Sequence, residues 1–169
     1  MKSRIVVSAG MQKSGSAYIY NIINDLLIKA GFTDARSLKL KYSLDDLMKY
    51  HNNNIGLLNK ENLIKLLKIG FKEKKFVVKT HGGPITFLNL LMNLGLAKTI
   101  YIYRDPRDVL LSAIDHGNKI LLEGENHTFA KMVNFDDALR NVKSWSKIFK
   151  QYCKGESSLI LLPHLSVPK

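Results

Sequence analysis

The chain has one cysteine, Cys153, so it cannot form an internal disulfide, and a reducing cytosol is the expected compartment. Cys153 falls on the apolar side of a predicted helix, as a buried thiol would. Long apolar runs are also missing. Only Ile5-Val6-Val7 precedes Ser8, too little for a signal-peptide core, and the best apolar helix candidate, 87–97, is interrupted by Asn89 and Asn93. The expectation is a soluble, cytoplasmic protein with no membrane partner. His51, His116, His127 and His164 have no metal-ligand spacing and no cysteine cluster beside them, which argues against zinc. Acidic residues are few, 14 against 26 basic ones, and the net charge is +12. That charge would steer polyanions. Lysine greatly exceeds arginine, however, and asparagine and isoleucine are also frequent, so a solvated lysine surface and a functional basic face both remain open. No nucleic-acid-binding motif accompanies the charge.

At 169 residues, without repeats, low-complexity tracts or an inter-domain linker, the chain reads as one domain over 1–169. Apolar runs at 4–8, 75–79, 98–103 and 158–162 predict strands. Tyr18, Ile19, Ile22, Ile23, Leu26, Leu27 and Ala30 predict a first helix. Two short helices, 45–51 and 61–69, are expected around Asn52-Asn53-Asn54, with another at 85–94 closed by Gly95. Asp105-Pro106 opens a helix, with Asp105 as N-cap, Pro106 at the first helical position and Asp108 placed to answer the cap. A last helix covers 136–152, with Leu139, Val142, Trp145, Phe149 and Tyr152 on one side. Strands alternating with helices imply an α/β fold, three layers with a central parallel sheet.

Ligands in such sheets gather at the carboxyl ends of the strands. Three strand ends carry chemistry here. The first runs into Gly10-Met11-Gln12-Lys13-Ser14-Gly15-Ser16, whose glycines allow a curled backbone and whose following helix points amides at an anion. The Gly10-x4-Gly15 spacing is that of a Walker A loop. Ser16-Ala17 stands where the lysine and the magnesium-binding hydroxyl should be, so a P-loop kinase is disfavoured. The second end delivers Lys79-Thr80-His81 before Gly82-Gly83-Pro84, and imidazole is suited to taking a proton from an alcohol near neutral pH. The third delivers Arg104, with Ser112 about two turns into the next helix. Arginine can fork onto a phosphate and a serine hydroxyl can add a donor.

These three motifs together resemble the PAPS-dependent sulfotransferases. Lys13-Ser14-Gly15-Ser16 resembles their 5′-phosphosulfate loop and Lys79-Thr80-His81 the segment of their catalytic histidine. Tyr103-Arg104-Asp105-Pro106-Arg107-Asp108-Val109 with Ser112 resembles their 3′-phosphate segment. The resemblance covers residues 3–115 by motif and continues to 162 by pattern. It implies the P-loop NTPase-like sulfotransferase fold and transfer of a sulfuryl group from PAPS to a hydroxyl or amine of a small-molecule or glycan acceptor, with no metal. By the same resemblance His81 is the general base, Lys13 stabilises the bridging oxygen, and Lys79 lies near the sulfuryl group. The backbone amides of Ser14, Gly15, Ser16 and Ala17 hold the 5′-phosphate, Tyr18 is able to stack on adenine, and Arg104 and Ser112 hold the 3′-phosphate.

Two departures stand out. Ala17 and Tyr18 replace a Thr and Trp common in the animal cytosolic branch. The family also continues into an acidic segment and a basic glycine-containing loop over the 3′-phosphate, where this chain ends in Pro163-His164-Leu165-Ser166-Val167-Pro168-Lys169. Relative to the family, the C-terminal third is expected to be missing. The lysines of 72–75 are then the first candidates to replace the lost loop. A non-catalytic nucleotide-binding or interaction module is the alternative function.

Overall fold

The computed structural model describes residues 3–49, 53–56, 58–124, 128–153 and 159–163. Among the described residues six strands form one sheet, lying across it in the order 48–49, 54–55, 76–80, 5–10, 97–103 and 159–163. The central three are β1 (Ile5–Gly10), β4 (Phe76–Thr80) and β5 (Ala97–Tyr103). Their β-branched runs suit a pleated, packed surface. Every residue of β1 and β4 is buried, which requires cover on both faces of the sheet. β1 runs parallel to both neighbours, with Ala9 opposite Thr80 and Gly10 opposite Ile102, so three carboxyl ends arrive level at one rim. On the far side of β5 lies β6 (Leu159–Pro163), also parallel.

Helices connect and flank the strands. α1 (Ser16–Lys29) packs on β1 and β4, α2 (Ala35–Lys41) touches β4, and α3 (Lys60–Glu73) lies against α4 (Thr86–Asn93). α5 (Pro106–Leu122) and α6 (Phe135–Cys153) pack on each other, and a 3₁₀ turn at Thr128–Lys131 closes on α5. The core runs from Ile5, Val7 and Phe76 through Leu63, Leu66 and Leu88 to Val109, Ala113 and Val142. The α/β architecture, a mostly parallel sheet flanked by helices, is as the strand–helix alternation predicts.

The region 32–75 departs from expectation. The helix expected over 45–51 does not form over its described residues, 45–49. Leu44, Leu47 and Met48 are buried from a turn that leads into β2 (Met48–Lys49), paired antiparallel with β3 (Asn54–Ile55), which in turn lies parallel to β4. Buried positions spaced three and four apart suit a helix, but here a hairpin covers the sheet edge instead. α2 was not expected; Asp34 caps it by accepting from the Arg36 amide at 3.0 Å. α3 extends past the 61–69 prediction to Glu73, capped by Asn59.

α1 buries Tyr20, Ile23 and Asn24 and leaves Tyr18, Ile22 and Leu26 exposed, so its inward face is rotated from the apolar stripe assigned by periodicity. Asn24 earns its buried position through hydrogen bonds: its amide donates to Asp34 and its carbonyl oxygen accepts from the Ala35 amide.

α5 starts as predicted. Asp105 caps it by accepting from the Arg107 amide at 2.8 Å, and Pro106 occupies the first turn. Asp108 does not close the capping box; its carboxylate turns to Arg104, 3.5 Å away. Leu139, Val142 and Trp145 of α6 pack inward as expected, while the side chains of Phe149, Tyr152 and Cys153 lie outside the described residues. So do His51, His127 and His164; His116 packs edge-on against Phe129.

Candidate active site

Gly10 ends β1 with no room for a side chain. A Cβ there would stand 2.5 Å from Ile102 Cγ2 and 3.1 Å from Ser14 Oγ. The chain then curls through Lys13 and Gly15, both in the left-handed region at φ 62° and 81°. Gly15 takes that conformation without strain, whereas Lys13 is held in it by its surroundings. Ser14 is buried and spends its hydroxyl inside the loop, donating to the Met11 carbonyl at 2.6 Å. No side chain caps α1, which leaves the first-turn amides of Ser16, Ala17 and Tyr18 for an external acceptor. Tyr18 is 66% exposed, its ring open to a planar partner.

His81 sits just beyond β4. Its Nδ1 lies 2.8 Å from the Gly10 carbonyl and its Nε2 lies 2.8 Å from Lys79 Nζ. A carbonyl can only accept, so Nδ1 carries the proton and the Nε2 lone pair accepts from the Lys79 ammonium. Burial, reinforced by the Lys79 charge, brings His81 down to about 4 against the pull of the Gly10 bond, and the ring is neutral at physiological pH. Lys79 is only 3% exposed, and burial brings it down to about 8. Its register partner on β1 is Ser8, buried with no hydrogen-bond partner for its hydroxyl among the described residues.

Arg104 reaches the same rim from β5 and donates from Nη1 to the Lys13 carbonyl at 3.4 Å. Its Nε is buried without a hydrogen bond. Lys13 Nζ lies 5.9 Å from the Phe129 ring centre; burial and the Arg104 charge lower its pKa, with Asp115 opposing. Ser112 is half-buried on α5.

Thus Lys13, Lys79, His81 and Arg104 share one rim, as their strand-end positions imply. Lys72, Lys74 and Lys75 do not. Lys74 and Lys75 directly precede β4, whose opposite end carries Thr80, and at about 3.3 Å per residue that separates them from the rim by roughly 17 Å, while Lys72 sits in the last turn of α3 beside the Tyr42 ring. Lys74 instead donates to the Gly31 carbonyl and Lys75 lies over the Phe32 ring. These lysines cannot replace a phosphate-binding loop at the rim.

Sequence reasoning missed the Gly10 carbonyl as the partner of His81, as well as Asp108 beside Arg104 and Phe129 beside Lys13. Parallel pairing of the strands before Gly10 and His81 was the only signal for the first.

A cradle that tolerates no Cβ, uncapped helix amides, and four basic or imidazole groups on one rim describe a site for a phosphate-bearing anion. The profile of the sulfotransferase domain family matches residues 3–159. The chain belongs to the sulfotransferase domain family. Among solved structures, retinol dehydratase in a complex with retinol and PAP is similar, with 20% identity and a TM-score of 0.46 over 96% of this chain and 55% of that one. The chain therefore spans about half the length of that structure. No curated protein matches it by sequence. Among the described residues of this sulfotransferase-family chain, no three His, Cys, Asp or Glu side chains group to hold a metal, and no helix is long and apolar enough to cross a membrane.

Proposed function

We propose that this chain binds PAPS at the rim and transfers its sulfuryl group to a hydroxyl or amine of a small-molecule or glycan acceptor. The observation that carries this reading is the neutral His81, with Nδ1 fixed by the Gly10 carbonyl and Nε2 beside Lys79, at the foot of a loop built for phosphate.

The residues fit the donor. The loop amides and those of α1 suit the 5′-phosphate, Lys13 the bridging oxygen, and Arg104, whose buried Nε makes no hydrogen bond, and Ser112 the 3′-phosphate. PAPS supplies an activated sulfuryl group with a stable leaving group. His81 Nε2 accepts the acceptor's proton as the new bond to sulfur forms. The bond from sulfur to the bridging oxygen breaks, and its electron pair leaves on PAP, stabilised by Lys13. Nothing in this step needs a metal, because positioning and fixed positive charge supply the stabilisation.

Thermal-shift titration with PAP and ATP, followed by a transfer assay over hydroxyl and amine acceptors, tests the reading. A larger shift with PAP and measurable sulfate transfer support it. A magnesium-dependent preference for ATP overturns it. PAP binding without transfer to any acceptor favours a non-catalytic nucleotide-binding module.

A further inference from the structure

We infer that Lys79 is a gate on the base: with no donor bound its ammonium occupies the His81 lone pair, and the donor's anionic sulfuryl group draws it away, freeing Nε2 only when there is something to transfer. The inference rests on the transfer reading above and adds an order to it.

The geometry sets the closed state. An imidazole has two nitrogens, and both are engaged: Nδ1–H donates to the Gly10 carbonyl, and Nε2 accepts from Lys79 Nζ, each at 2.8 Å. A nitrogen that already accepts a hydrogen bond in its ring plane has no lone pair left for an acceptor's proton. The base is therefore silent in this state, toward water as well as toward an alcohol.

The closed state is also poised to open. Lys79 is buried at the rim, and among the described residues no carboxylate acts on it; its Nζ bonds to the neutral imidazole nitrogen. An ammonium bonded to a neutral acceptor exchanges it readily for an anion, since charge-assisted hydrogen bonds are roughly twice as strong as neutral ones. Its long flexible stem permits the swing while His81 stays fixed from the other side by Gly10. Among the described residues, Lys79 is the charge that acts on His81, whereas the Arg104 charge acts on Lys13. Moving Lys79 onto an anion makes His81 more basic at the moment a base is needed. The consequence is order: donor first, then acceptor.

Nitrogen-15 NMR of His81 in the full chain tests this, because the Nε2 signal and its titration report the lone pair directly. In the free protein His81 should titrate well below the ordinary imidazole value of about 6.5. PAP, which lacks the sulfuryl group, should leave the Nε2 signal in place, whereas PAPS should move it and raise the titration toward the ordinary value. In Lys79→Met, which keeps the volume of the buried stem, His81 should already titrate higher in the free protein, and PAPS should add little. Lys79→Gln, which retains a donor without charge, should keep the Nε2 hydrogen bond and resist release by PAPS. If PAPS binds with no movement of the Nε2 signal, or if Lys79→Met leaves the free-state titration unchanged, the gate is overturned and the transfer reading survives. If thermal shift shows neither PAP nor PAPS binding, the transfer reading falls, and the gate falls with it.

Discussion

Arg104 donates to the carbonyl of Lys13, tying the end of β5 to the loop after β1 at 3.4 Å. The contact holds two parts of the rim at a fixed spacing before any ligand arrives. Its buried Nε makes no hydrogen bond among the described residues and has the Asp108 carboxylate 3.5 Å away as an ion-pair partner. A group in that condition gains most from an added anion, because a hydrogen bond to a charged partner contributes about 1.5–3 kcal/mol.

Arg104→Ala should therefore weaken PAP binding by about 10- to 100-fold and erase its advantage over ATP, which has no ribose 3′-phosphate. Thermal shift or calorimetry with the two nucleotides checks this. A variant that keeps the same preference for PAP would remove Arg104 from the 3′-phosphate site.

Gly10→Ala should destabilise the fold by about 1–3 kcal/mol, the usual effect of overpacking. The added methyl would meet Ile102 Cγ2, the Ile102 carbonyl and Ser14 Oγ together. Urea denaturation measures the loss. Combining it with Ile102→Ala should give less than the sum of the two single losses, since the residues share one contact. Strict additivity would mean that the strand ends part without resisting.

The parts of this architecture that could be read from the sequence are those with one physical cause. β1 and β4 open on the apolar runs Ile5-Val6-Val7 and Phe76-Val77-Val78 because both sheet faces are covered there, β5 shows itself through Ile100-Tyr101-Ile102, and α5 announces itself through Asp105-Pro106. The segment holding Leu44, Leu47 and Met48 could not be read, because buried positions three and four apart arise equally from a helix or from a turn entering an edge strand. The orientation of α1 was hidden because it is apolar on more than one side, and hydrogen bonds of Asn24 select the inward face. At the site, Lys13, Lys79, His81 and Arg104 were legible as strand-end residues. The Gly10 carbonyl was not, since a backbone acceptor has no side-chain signature and reaches His81 only through strand register.

Stability should fall as pH drops from about 6.5 to 4, in part through His81. The folded chain holds this residue at about 4, whereas the unfolded chain takes up a proton near 6.5. The unfolded state thus binds more protons across that window, so acidification favours it, by up to about 3 kcal/mol for a shift of this size. Lys79, held at about 8 against an ordinary 10.5, works in the same sense at higher pH, with stability rising from about 8 to 10.5. Urea midpoints of the wild type and His81→Gln across pH 4–7 isolate the first effect from the carboxylates, which both proteins share. Parallel profiles would show that His81 is not held neutral by the fold.

His81→Ala should lower sulfate transfer by about 10² to 10⁴, the usual contribution of a positioned general base, while PAP affinity stays near that of the wild type. The separation follows from the site's layout. His81 is fixed by Gly10 and Lys79, whereas the phosphate-directed groups lie in the loop, at the start of α1 and on Arg104. Lys13→Ala should behave differently and lose both affinity and turnover, because the proposed reading sets its ammonium against the donor in the bound state and in the transition state alike. Turnover and PAP affinity measured on the two variants side by side check the assignment. If His81→Ala loses PAP binding but transfers at the wild-type rate when saturated, His81 is a contact for the nucleotide and the base must be sought elsewhere on the rim. If Lys13→Ala retains full turnover, the loop after β1 does not carry the charge that transfer requires.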